Sequence, residues 1–310
     1  MGDCAGIGPE IIIKALNKIE TKNNLVLIGN RKIFERNEKI SNIKLPTTIE
    51  FIDIDYDTDL ITNGKESKYS GELAYKCLKK ACDLANSGYI NKIATAPLSK
   101  NAMHLAGYKY DGQTEVLQQE LSTNTTKAEM LFVANNLRIV LLTRHISIKD
   151  IPAQITRENI IKTANILNTE LKSKFNINNP KIAMCALNPH AGENGILGEE
   201  EIKIINPTIE YLQENGINIS GSYSADTLLG KAVQNDNLPE FDGYIACYHD
   251  QALTAIKSLG LENVLNITIG LKVLRSSPSH GTAFDIAYQN KADYRSMLNA
   301  ITFLQNKSCS

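Results

Sequence analysis

Three apolar runs in the sequence end in a histidine: LRIVLLTRH from Leu137 to His145, KIAMCALNPH from Lys181 to His190, and GYIACYHD from Gly243 through His249 to Asp250. Each reads as a buried strand, and in open α/β sheets ligands bind just beyond the carboxyl ends of the strands. Three imidazoles delivered there can form an open three-ligand site for a divalent ion, with positions left for water or substrate. They lie too far apart in sequence to be a local metal motif. The other reading is three loop histidines, each hydrogen-bonded to its own surroundings.

Further polar groups collect in similar places. Lys257 falls on the helix expected after Asp250 and reads as a solvated lysine or a functional cation. Asn266 lies inside the apolar run from Val264 to Ile269, where a buried amide needs a partner. Arg275 precedes a small polar turn, Ser276 to Thr282, read as the entry to a helix. Arg forks and helix N-termini both suit phosphate, and a serine-rich cap is the plainer account. The turn Asp111–Gly112–Gln113–Thr114–Glu115 caps a helix, with Thr114 able to cap or to bind an anion. The opening glycines do not spell G-x-G-x-x-G and follow no strand, so a dinucleotide-binding fingerprint is poorly supported.

Positioning these groups requires an α/β chain. Short apolar runs alternate with longer segments of helical period, the pattern of a largely parallel sheet with helices between its strands. Strands are expected at 24–29, 49–54, 93–96, 130–133, 137–142, 182–187, 244–247 and 264–269. Helices are expected at 9–16, 71–85, 156–175, 199–215, 282–288 and 294–304. Asn135–Asn136 reads as a hairpin turn, and 55–70 and 222–240 read as loops. The 310 residues carry 33 basic and 34 acidic side chains, so no cationic surplus is available for nonspecific nucleic-acid binding. No apolar run approaches the roughly 18 residues of a membrane span, and no signal-peptide pattern opens the chain. The six cysteines (Cys4, Cys77, Cys82, Cys185, Cys247, Cys309) form no C-x-x-C pair. Reduced thiols and a cytoplasmic protein are expected.

Six motifs occur in a familiar order: Gly2–Asp3–Cys4–Ala5–Gly6–Ile7–Gly8–Pro9–Glu10, Gly112–Gln113–Thr114–Glu115, Leu187 to Glu193 (LNPHAGE), Ala225–Asp226–Thr227, Tyr248–His249–Asp250–Gln251 and His280–Gly281–Thr282–Ala283. On these the chain resembles the PdxA family, NAD-dependent dehydrogenases of pyridoxal phosphate synthesis. The resemblance implies a two-domain α/β fold of the isocitrate/isopropylmalate-dehydrogenase type, with the active site in a cleft between domains at a homodimer interface. The first domain would comprise 1–105 plus 275–310, short of its first strand, and the second 106–274. His145, His190 and His249 match the ligands of a divalent ion (Zn, Mg or Co), the third supplied by the partner subunit. Gln113, Thr114, Lys257, Asn266 and Arg275 match the substrate-binding set, with Lys257 also a candidate for proton transfer. Lys100, Asp226 and His280 match motif positions with less definite roles.

The implied reaction is NAD- (or NADP-) dependent oxidation of 4-phosphohydroxy-L-threonine to 2-amino-3-oxo-4-phosphohydroxybutanoate, which decarboxylates to 3-amino-2-oxopropyl phosphate. Gln113 stands where the family usually has His, Ser279 where it commonly has an acid, and Cys4 where Pro is frequent. The first two departures leave open a related activity on 4-phospho-D-threonate or erythronate, which lack the amino group. A metal-dependent hydrolase or hydratase, and an inactive homologue, are the alternatives from other classes.

Overall fold

The computed structural model describes residues 1–20, 24–121 and 128–307. In chain order these form α1 (Gly8–Leu16), β1 (Val26–Gly29), α2 (Arg31–Ser41), β2 (Glu50–Asp53), α3 (Lys68–Asn86), β3 (Lys92–Ala94), α4 (Lys100–Leu105), α5 (Gln113–Leu121), β4 (Glu129–Ala134) and β5 (Leu137–Leu141). There follow α6 (Ile151–Gln154), α7 (Arg157–Phe175), β6 (Ile182–Cys185), α8 (Asn206–Glu214), β7 (Ile219–Tyr223), α9 (Ala225–Gln234), β8 (Gly243–Ala246), α10 (His249–Lys257), β9 (Leu265–Ile269), β10 (Leu274–Pro278) and α11 (Arg295–Gln305). The fold is mixed α/β.

Two compact units divide the chain: Met1–Ala128 with Leu271–Asn306, and Glu129–Gly270 with Lys307. The sequence reading drew these lines at 105/106 and 274/275. Residues 106–128 group with the first unit because α5 packs on α3 and buries Val116, Leu117 and Leu121 beside Leu78 and Cys82.

In the first unit β1 pairs with β2 and β3 with β10, both parallel. Pro9 sits in the first turn of α1, where its missing N–H costs nothing, and the helix buries Ile11, Ile12, Ile13 and Leu16. Each such side chain contributes roughly 1.5–3 kcal/mol on burial. Ahead of α1 the glycine loop lies against Pro97: the Asp3 N–H donates to the Pro97 carbonyl at 2.9 Å. A Cβ on Gly2 would lie 2.3 Å from that same oxygen.

Asp3 itself is fully buried. Its carboxylate accepts from the Ala5 N–H at 3.0 Å and from the Ser70 hydroxyl at 3.2 Å. Burial outweighs these bonds and pushes the carboxyl up to about 6. An acid whose pKa rises on folding holds its proton more tightly when folded. Its stabilising effect is therefore complete below the unfolded value near 3.9 and is lost as pH rises through about 6, a swing of up to about 3 kcal/mol. The stability of wild type relative to Asp3→Asn is expected to fall by that order between pH 4 and pH 7. Parallel denaturation curves at the two pH values would contradict this.

The second unit is a six-stranded sheet in the order β9-β4-β5-β8-β6-β7, with β4 antiparallel to β5 and β9 and the other pairs parallel. Its inner strands β6 and β8 are buried along their whole length, as expected of parallel strands covered on both faces. α9 and α10 press Leu228, Leu229, Leu253 and Ile256 onto Leu137, Ile139, Leu141 and Tyr244. Asn135 takes the left-handed conformation (φ 51°) in the turn between β4 and β5.

Three expectations differ from what is seen. Residues 222–240 hold α9 and not only loop, because Leu228, Leu229 and Ala232 give one buried face. The polar segment after Val273 is the fully buried strand β10, paired with β3, and not a turn entering a helix. Residues 282–288 then turn without forming a helix, with Ala283 and Tyr288 at positive φ. The cysteines at 4, 77, 82, 185 and 247 are buried free thiols; Cys309 lies outside the described residues. Among the described residues no helix is long and apolar enough to cross a membrane.

Candidate functional site

β5, β8 and β6 are neighbouring parallel strands, so their carboxyl ends share one sheet edge. His145, His249 and His190 each follow those ends within a few residues. The tips are tied together by polar bonds. Leu142 N–H donates to the Ala246 carbonyl at 2.8 Å, and the Thr143 hydroxyl to the Cys247 carbonyl at 2.7 Å. Gln251, one turn into α10, accepts from the Cys247 N–H at 2.7 Å and donates to the Ala186 carbonyl at 2.9 Å. Gln251 thereby bridges the ends of β8 and β6.

At this edge the His145 and His249 rings face one another with centroids 5.7 Å apart. His249 opens α10, and its Nδ1 lies 2.6 Å from the Asp250 carboxylate. A carboxylate only accepts, so Nδ1 is the donor, and in the neutral ring Nε2 keeps its lone pair free for a ligand. His190 takes a different course. Residues His190 to Asn194 all have positive φ, between 44° and 77°, a single left-handed turn. Such backbone costs roughly 1–2 kcal/mol for each residue other than glycine, so it persists only where its surroundings over-determine it. The imidazole of His190 is exposed and lies within electrostatic reach of Asp226. Asp226, at the start of α9, is held below the usual carboxylate range mainly by the Ser224 hydroxyl at 2.6 Å.

Among the described residues no three His, Cys, Asp or Glu side chains converge as a metal site. The donor set present is an open one. Two facing imidazoles, one with its tautomer fixed by a carboxylate, suit a divalent ion that takes its remaining ligands elsewhere.

The first unit gathers a second polar group. Arg275, in β10, is 3% exposed. Its Nε and Nη2 donate to the Thr95 hydroxyl at 3.0 and 2.7 Å, and Nη2 also donates to Gln113 Oε1 at 3.1 Å. Gln113 completes the chain by donating from Nε2 to the Ala96 carbonyl at 2.9 Å. Burial drags the guanidinium down to about 10, still charged at neutral pH. Thr114, buried beside Gln113 in the first turn of α5, adds a hydroxyl. A buried fixed cation beside hydroxyl and amide groups at a helix start has the chemistry of an anion site.

The remaining candidates scatter. Lys257 ends α10, roughly 12 Å along the helix from His249, so it does not join the histidine pair. It is half-buried and makes no ion pair among the described residues. Asn266 lies in β9 opposite Phe132 of β4. Lys100 is exposed and paired with Asp111 at 2.7 Å, and His280 is exposed beyond β10.

Sequence reasoning missed Thr95, Thr143 and Glu201, and gave Gln251 no role beyond its place in a motif. Thr95 and Thr143 are polar residues one or two places past a strand, a signal too common to single them out. Glu201 stands in the run Glu199–Glu200–Glu201 at the start of the helix expected over 199–215, where nothing sets it apart from its neighbours, and it is 1% exposed.

The family described as pyridoxal phosphate biosynthetic protein PdxA matches residues 10–304. A D-threonate 4-phosphate dehydrogenase of Cupriavidus necator is 38% identical over 97% of this chain and 93% of its own. The crystal structure of 4-hydroxythreonine-4-phosphate dehydrogenase from Klebsiella pneumoniae superposes with a TM-score of 0.87 at 33% identity, covering 98% of this chain and 97% of that one. A β-decarboxylating dehydrogenase from Thermococcus kodakarensis, 16% identical, shares the fold alone (TM-score 0.51, covering 98% and 81%). Near-complete coverage at this identity, by relatives that are dehydrogenases, leaves one assignment: the chain belongs to the PdxA family.

Proposed function

We propose that the protein is a nicotinamide- and divalent-metal-dependent dehydrogenase that oxidises the secondary alcohol of a 4-phosphorylated four-carbon acid. The buried Arg275–Thr95–Gln113 chain carries this reading, because it holds a fixed cation where a phosphate dianion can be recognised. Thr114 supplies a further hydroxyl to the same anion. His145, His190 and His249 would hold the ion, one of the three supplied by the partner subunit of a homodimer. When bound, such an ion acts as a Lewis acid and lowers the pKa of a substrate hydroxyl toward neutrality. Asp250 keeps the His249 lone pair on Nε2 throughout. Lys257 is the cation available for the substrate carboxylate or for proton transfer, and Asn266 an amide for a substrate oxygen. No residue is assigned to the nicotinamide, and a cytoplasmic location goes with the small soluble substrate.

Gln113 bears on the choice between the two acids that fit. Its Oε1 already accepts from Arg275 and its Nε2 already donates to Ala96. One lone pair of Oε1 stays open, and the neutral amide brings no charge of its own, so either acid can be accommodated. The order expected from sequence stands, with 4-phosphohydroxy-L-threonine first and 4-phospho-D-threonate the alternative. With Co2+ or Zn2+ present, NADH formation is expected at a higher kcat/KM for 4-phosphohydroxy-L-threonine. A preference for 4-phospho-D-threonate would reverse that order, and no NADH from either acid would sink the proposal.

A further inference from the structure

We infer that Glu201 is a positioning residue for His190: its buried carboxylate clamps the root of the left-handed turn that presents the imidazole. Glu201 opens a π-helical turn, Glu201–Ile205, that runs directly into α8. π turns recur at functional sites. Here the turn places a carboxylate in the interior, 1% exposed. Its Oε1 accepts from two successive backbone N–H groups, Leu187 and Asn188, both at 2.8 Å. Its Oε2 accepts from Asn188 Nδ2 at 2.9 Å, and Asn188 Nδ2 also donates to Glu200 Oε2 at 2.7 Å. Every one of these bonds ends on the two residues just before Pro189–His190.

The turn itself leans on the same carboxylate. A Cβ on Gly192 would lie 2.8 Å from Glu201 Oε2, so the backbone passes the acid more closely than any side chain allows. The far end of the loop is held by the Leu197 N–H donating to the Gly192 carbonyl at 3.1 Å. Left-handed backbone over Ala191 and Glu193 has no local preference behind it. An external clamp must select it, and a carboxylate receiving two charge-assisted N–H bonds plus an amide is a strong one. Glu201 touches neither ring nor substrate, so it acts through the loop alone.

This inference rests on the reading of His190 as a metal ligand, and Co2+ titration by calorimetry separates the two. His190→Ala is expected to weaken Co2+ binding. If it does not, the ligand assignment fails. Glu201→Ala is expected to weaken Co2+ binding about 10- to 100-fold, the usual effect of losing a supporting group outside the ligands. Glu201→Gln, which keeps an oxygen for both N–H groups, should recover most of that loss. In the double variant Glu201→Ala/His190→Ala, affinity should match His190→Ala alone, because both changes remove one ligand. Asn188→Ala leaves the two backbone bonds in place and should cost severalfold, which keeps the test open if Glu201→Ala does not fold. Unchanged Co2+ affinity in Glu201→Ala or, failing that variant, in Asn188→Ala would overturn the inference. So would losses from Glu201 and His190 that add in full.

Discussion

Replacing Arg275 by methionine is expected to lower kcat/KM for a 4-phosphorylated substrate by about three orders of magnitude while changing stability by no more than about 2 kcal/mol. The two halves of this expectation come from opposite sides of one side chain. A buried guanidinium facing phosphate makes paired charge-assisted bonds, and losing about 4 kcal/mol of such contact corresponds to roughly a thousandfold. Folding gains little from the same cation. Burial depresses its pKa from 12.5 to about 10, and a base whose pKa falls on folding carries a penalty at every pH below the folded value. At neutral pH that penalty is about 3 kcal/mol. It is offset by the bonds to Thr95 and Gln113, worth about 1.5–3 kcal/mol each when one partner is charged. Methionine removes the penalty and the bonds together, and apolar replacement of a buried ion is often close to neutral. The measurement is steady-state kinetics with the phosphorylated acid and its dephosphorylated counterpart, alongside urea denaturation. The variant should lose its discrimination between the two substrates. A variant that keeps the wild-type KM for the phosphorylated acid would remove Arg275 from the phosphate site.

The histidine edge was legible because β6 and β8 are buried along their whole length, and β5 at every position but Arg138, so they spell apolar runs that length and flanking residues mark as strands. The place of each histidine followed from where the run stopped. β10 was not legible: Leu274 to Pro278 reads LRSSP, and its polar groups are buried because Thr95 and Gln113, far away in the chain, meet Arg275. Hydrophobic period cannot register a partner supplied by tertiary structure. α9 was hidden by its composition, ADTLLGKAVQ, with turn-forming residues at its start and Gly230 inside it. The left-handed turn was hidden more deeply. Of its five residues Ala191 and Glu193 have no preference for positive φ, so the conformation is imposed by Glu201 and not encoded locally. The family motifs carried what periodicity did not, since NPHAGE and YHDQ mark the residues at the strand tips directly.

The second large effect expected is at His249. His249→Ala should lower turnover at least about a thousandfold and abolish measurable Co2+ binding at micromolar concentrations, since an open site of three protein ligands cannot spare one. Asp250→Asn should cost less, about 10- to 100-fold in metal affinity, because it disturbs only the tautomer. The informative experiment combines this variant with another. Within one chain the structure brings the His145 and His249 rings to 5.7 Å between centroids and, among the described residues, gathers no third His, Cys, Asp or Glu with them. If a site takes His190 and His249 from different subunits, then His249→Ala and His190→Ala are defects on opposite sides of the interface. A mixed dimer has one site carrying both defects and one carrying neither. Random pairing makes half of the dimers mixed, so co-expression should restore about a quarter of wild-type turnover from two nearly inactive chains. Were all three ligands contributed by one subunit, every site in every dimer would contain one defect. No activity would return on mixing, and the shared-site homodimer would be refuted while the metal ligands stood.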